Sequence, residues 1–153
     1  MDRDTRCDKS GSRPDFQVQH AHQELVTIYV EVDENQHKTY ENTCELVRLN
    51  DIAVSHQFRR PLVVLRYIPD PFTVGDEQIT VKELPWKGKE DILLKQLKNV
   101  MEAAAHPETF PALLRLIKIG FDCECNKTTQ CDFVHSKDCP DQESIRQDYN
   151  LMQ

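Results

Sequence analysis

Pro107-Glu108-Thr109-Phe110-Pro111-Ala112-Leu113-Leu114-Arg115-Leu116-Ile117-Lys118-Ile119-Gly120 is the stretch on which the fold turns. Pro111 suits a first helical turn, where a missing N–H costs nothing. Leu113, Leu114, Leu116 and Ile117 make an apolar stripe, and Arg115 and Lys118 complement the negative end of a helix dipole. Gly120 then stands where a helix C′ residue belongs. The spacing predicts a helix that starts near Thr109 or Phe110 and stops at Gly120.

Upstream, after Gly88, the residues Leu93, Leu97, Val100, Met101 and Ala104 recur at helical spacing, with Lys95, Gln96, Lys98, Asn99 and Glu102 mostly on the opposite face. Glu90 and Asp91 suit a first turn. His106-Pro107 interrupts the pattern, because proline disfavours helical geometry in the residue before it. The two segments therefore predict a helical hairpin from Lys89 to Gly120. Its apolar faces need a third surface to cover them.

Strands supply that surface. In Leu25–Val32, Val26, Ile28, Val30 and Val32 alternate with Thr27, Tyr29 and Glu31, as in a strand with one buried face. Asp33 to His37 is a polar turn, and Thr39-Tyr40 can begin a return strand. The segment Cys44–Val54 suits a short helix through Leu46, Leu49 and Ala53, or a strand; it is read as extended up to Leu49, with a loop through His56. Pro61–Ile68 holds the continuous run Leu62-Val63-Val64-Leu65 between Arg60 and Arg66, as expected of a strand covered on both faces. Phe72-Thr73-Val74 and Ile79-Thr80-Val81 flank Gly75-Asp76-Glu77-Gln78, a hairpin signal. Strands first and helices afterwards predict an α+β fold: a largely antiparallel sheet of about four or five strands, followed by two helices packed on one face. Four regions result: a flexible tail at 1–20, a globular domain at 21–120, a Cys/His tract at 121–139, and an acidic tail at 140–153.

The 153 residues carry a formal net charge of −7, with −3 in residues 21–60 and −4 in residues 121–153. Such a surface repels phosphate, which argues against nucleic acid and anionic membranes as partners. The adjacent pair Arg59-Arg60 reads as a solvated approach to a strand. No window approaches the roughly 18 apolar residues of a membrane span. The N-terminal residues have no apolar core of a signal peptide, so a cytoplasmic or nuclear setting with reduced thiols is expected.

The cysteines concentrate in one place. Cys123, Cys125, Cys131, His135 and Cys139 form the pattern C-x-C-x5-C-x3-H-x3-C. Zinc takes four sulfur or nitrogen ligands in a tetrahedron, and five candidates here can supply four. Asp122, Glu124, Asp132 and Asp138 add attraction for a cation. The tract has few apolar residues beyond Phe133 and Val134, so a metal would stand in for a core. With no position left open for water, the expected zinc is structural. The competing readings are a reduced tail without fixed structure and a set of disulfides, the latter needing an oxidising compartment.

Trp86, the only tryptophan, lies in Leu84-Pro85-Trp86-Lys87-Gly88, between the last expected strand and the first helix. It can anchor a protein partner or close the core. Ile145, Tyr149, Leu151 and Met152 could fold as a helix in a partner's groove or belong to an ordinary solvated terminus. Nucleotide-binding loops and the serine nucleophile elbow are absent from the sequence. The pairs Cys44/His56 and Cys131/His135 are the thiol–imidazole combinations on offer. Together these readings predict a non-enzymatic protein-interaction domain, an adaptor or regulatory subunit, with a structural zinc. The alternative is a thiol-dependent enzyme or redox-responsive protein using the C-terminal cysteines.

Overall fold

The structure is a computed structural model and describes residues 13–34, 49, 51–57, 59–74, 77–79, 86–110, 114–120 and 134–139. Its strands are β1 (Phe16–Gln17), β2 (Thr27–Val32), β3 (Leu62–Tyr67), β4 (Phe72–Val74), β5 (Glu77–Ile79), β6 (Leu114–Ile119) and β7 (Val134–Cys139). A short helix, α1, covers residues 51–55, with Leu49 also helical. The long helix α2 runs Trp86–Ala103.

One sheet has the order β1-β2-β3-β6-β7, and β4 and β5 pair separately as an antiparallel hairpin. The three central strands are parallel: Thr27 pairs with Leu62 and Leu62 with Leu114, and so on along all three. Only the flanking strands β1 and β7 run antiparallel. The fold is α+β in the broad sense, but the sheet is mixed and not largely antiparallel. The reason lies in the connections. Residues 33–61 and 68–113 are both long enough for the crossover that parallel neighbours require, where a hairpin would need only a few residues.

The largest correction concerns the opening stretch. Residues 114–119 form β6, and the expected second helix is absent. Pro107–Thr109 make a single 3-10 turn, with the Thr109 hydroxyl donating to His106 O at 2.7 Å. Leu113 lies outside the described residues. In β6 the burial alternates around two half-buried basic residues, Arg115 and Lys118. The backbone of β6 pairs with β3 on one side and β7 on the other. A helix of six residues would leave most of its terminal N–H and C=O groups without partners, whereas a central strand satisfies both edges.

The helices lie on opposite faces. Leu93, Leu97, Val100, Met101 and Ala104 of the expected stripe pack with Val26, Ile28, Val30, Val63, Leu65, Tyr67, Ile117 and Ile119. On the other face, Leu49, Ile52 and Ala53 cover Leu62, Val64, Leu114 and Leu116. The segment read as extended to Leu49 and then loop is therefore helical at 49 and 51–55; Leu49, Ile52 and Ala53 fall at i, i+3 and i+4. α2 begins at Trp86, three residues earlier than expected, so Glu90 and Asp91 lie beyond its first turn. Every residue of β3 is buried, as expected of a strand covered on both sides. The β4–β5 hairpin forms with a tighter turn than expected: Glu77 and Gln78, read as turn residues, belong to β5, Val74 lies opposite Glu77, and Thr80 and Val81 lie outside the described residues. Phe16 and Gln17, expected within a flexible tail, form an edge strand, and the Asp15 carboxylate accepts the Val32 N–H at 2.8 Å.

Candidate functional site

Three clusters of polar or exposed groups stand out, and the sheet places each of them. The first is at the carboxyl ends of the parallel strands. Glu31, Arg66 and Lys118 are in register on β2, β3 and β6. Their parity sets them on the α1 face with Tyr29, Val64 and Leu116. Asp33 follows β2 and receives the Arg66 Nε–H at 2.6 Å. Glu31, Asp33 and Arg66 are all buried, and Lys118 is half-buried. On the opposite face at the same end, burial and then Glu90 hold the Tyr67 phenol above its ordinary pKa. The chain leaving β2 returns through α1 on one face and the chain leaving β3 through α2 on the other. Ligand sites of parallel sheets form where connections part in this way.

The second cluster is a groove of about 680 Å³ between α2 and the turn before β2. Leu94, Leu97, Met101 and Ala105 form its apolar wall, and His20 and His22 face them. Leu94 is 60% exposed, a large apolar side chain left outside the core. His20 is fixed from both ring nitrogens: Nε2 lies 3.0 Å from Val26 O, and Nδ1 accepts the His22 N–H at 3.3 Å. Lys98 and Glu102 pair across one turn at 3.9 Å on the rim.

The third cluster lies at the amino ends of the strands. The buried Thr27 hydroxyl receives the Arg60 Nε–H at 2.8 Å and lies 2.8 Å from His56 Nε2. Burial, and after it the Arg60 charge, lowers the His56 pKa below 6.5. A neutral ring fits this site, taking the Thr27 hydrogen at Nε2. Arg60, read from sequence as solvated, is thus half-buried and bonded into the fold.

Of the expected metal ligands, Cys123, Cys125 and Cys131 lie outside the described residues. His135 and Cys139 are both in β7, opposite Lys118 and Leu114 respectively. Four residues of extended strand separate them, about 13 Å between Cα atoms. That span exceeds what two ligands of one tetrahedral ion can bridge through bonds of about 2.0–2.3 Å. Among the described residues no group of three or more His, Cys, Asp or Glu could hold a metal. Trp86 is the first residue of α2, two turns ahead of Leu94. Cys44 and Cys131, the thiols of the two suggested nucleophile pairs, lie outside the described residues, and His56 is engaged with Thr27. Among the described residues no helix is long and apolar enough to cross a membrane.

The charged cluster at the carboxyl ends is what sequence reasoning missed. Two signals were present: acidic residues at i and i+2 closing an alternating strand, and an arginine directly before the buried Tyr67 in an apolar run. Compared with protein-family models, curated proteins and solved structures, the chain matches none.

Proposed function

We propose that this chain is a non-enzymatic protein-recognition domain whose docking face is the groove along α2. The observation that carries the reading is Leu94, 60% exposed on a groove wall that it shares with Leu97, Met101 and Ala105, opposite His20 and His22. Monomeric proteins bury such contiguous apolar surface unless something else covers it. The occupant that suits it is an amphipathic helix of a protein partner, seating two or three apolar anchors a turn apart. Position 86 lies two turns towards the N-terminus of the same helix, so Trp86 extends the proposed contact. The test is capture of such a partner by wild type and by Leu94→Asp. The expected result is lost capture with an unchanged melting temperature, because an exposed residue contributes little to the core. Trp86→Ala is expected to weaken capture in the same way. Undiminished capture by Leu94→Asp overturns the groove.

A structural zinc belongs to this reading. The connection from Gly120 to Val134 starts and ends at the carboxyl edge of the sheet, since β6 and β7 pair Ile119 with Val134. Cys123, Cys125 and Cys131 fall in it, and His135 is the nearer of the two β7 candidates. We assign the ion to these four, with Cys139 left at the far end of the strand. Closing a polar connection on an ion supplies the rigidity that its apolar content cannot.

The burial of Glu31, Asp33 and Arg66 favours a second reading, a polar-ligand or catalytic site at the carboxyl ends of β2 and β3. Ionised groups are costly to bury, and such clusters concentrate at functional sites. A thiol mechanism would add a reactive cysteine from the nearby connection. Alkylation at neutral pH separates the two: one cysteine reacting far faster than the others supports the enzyme, and uniform slow reaction supports recognition.

A further inference from the structure

We propose that His56, Thr27 and Arg60 form an acid-sensitive clasp that releases α1 from the sheet. The described part of α1, Leu49 and residues 51–55, is about two turns, a length that does not persist without tertiary support. Among the described residues it is held by the packing of Leu49, Ile52 and Ala53 on Leu62, Val64, Leu114 and Leu116, and by the clasp at its carboxyl end. His56 continues the helix, its N–H bonded to Ile52 O at 3.0 Å, and its ring reaches across to β2. Gln57 then closes the turn at φ 57°, a left-handed geometry that costs a non-glycine residue energy.

The clasp depends on complementary roles around one hydroxyl. Arg60 donates to Thr27 Oγ1, and Thr27 donates its single hydrogen to neutral His56. Protonation makes His56 a second donor aimed at the same oxygen, and the Thr27 hydrogen loses its acceptor in a buried site. The Nδ1 atom, which carries the hydrogen of the neutral ring, is also buried and meets no partner among the described residues, so no acceptor there offsets the charge of the imidazolium. The new charge would stand beside Arg60. Among the described residues, the charged groups on the surrounding elements are Asp51 on α1, Glu24 ahead of β2, and Arg59 and Arg60 ahead of β3. Glu24 is 3.8 Å from Arg60 but 85% exposed, so solvent screens it. Asp51 is also exposed.

The sign follows from linkage. The folded-state pKa of His56 lies below its unfolded value of 6.5, so the clasp is complete above that value. It is lost progressively as pH falls through the folded-state pKa. Release uncovers Leu62, Val64, Leu114 and Leu116, turning a covered sheet face into an apolar surface. α2 and its groove lie on the other face and keep their packing.

Amide hydrogen exchange on the full chain at about pH 7.5 and about pH 5.5, corrected for intrinsic exchange, tests the clasp. Protection of residues 52–57 is expected to fall several-fold at the lower pH, while Val100 and Ala104 of the α2 layer keep theirs. In His56→Gln the difference should vanish. In Arg60→Gln it should shrink without vanishing, because burial still disfavours the imidazolium; this variant decides the matter if His56→Gln does not fold. Equal protection at both pH values, a loss spread evenly over α1 and α2, or a full loss retained in a folded variant overturns the proposal.

Discussion

Asp33 and Arg66 show what a single pair of residues does in this chain. Their side chains are 1% and 5% exposed and 2.6 Å apart, so neither charge is solvated by bulk water. Removing one partner takes a buried, charge-assisted hydrogen bond from the other. Asp33→Ala is expected to cost about 3–5 kcal/mol of stability in denaturant unfolding, whereas Asp33→Leu with Arg66→Met together should cost far less. The contrast between single and double variants measures the coupling between the two charges. From the sequence, Arg66 reads as the charged flank of Leu62–Leu65, and Asp33 as the start of a polar turn. Each residue type was plain to read. Their meeting was not, because 33 residues separate them and only the parallel register of β2 and β3 brings them together.

Elements differ in how openly the sequence displays them. α2 was legible because only one of its faces is buried, so apolar residues recur with the helical period. β6 was not, because neighbours cover both of its faces and an apolar run then carries no decisive period. Leu114, Leu116 and Ile117 fit a helical stripe and a doubly covered strand equally well. The outcome is set by β3 and β7, which supply hydrogen-bond partners on both sides. α1 gave the opposite difficulty: Leu49, Ile52 and Ala53 fit one face, but three positions make too brief a stripe to decide between helix and strand. Its weight in the core is measurable. Ile52→Ala, at a site 2% exposed, is expected to cost about 2–5 kcal/mol in denaturant unfolding. Leu94→Ala, on the outside of α2, should stay within about 0.5 kcal/mol.

The whole molecule is a mixed sheet between two unequal helical layers, and the cysteine-bearing connection joins its last two strands at the carboxyl edge. Metal content is a property at this scale. About one zinc per chain is expected by elemental analysis, with a lower melting temperature after chelation. His135→Ala should release the ion and Cys139→Ala should retain it, since extended strand sets these positions about 13 Å apart. An identical loss in both variants would place the ligands elsewhere. The sequence by itself determined the α2 stripe, the β2 and β3 strands, the β4–β5 hairpin, and an acidic chain with its cysteines clustered near one end. These are properties of neighbours along the chain, carried by local period, turn chemistry and composition. Only the tertiary structure decided that the central strands run parallel, that residues 114–119 extend between them, and that Glu31, Asp33, Arg66 and Lys118 gather at one end. Each of these depends on partners tens of residues away, and a one-dimensional pattern does not specify which strand a given backbone group will bond.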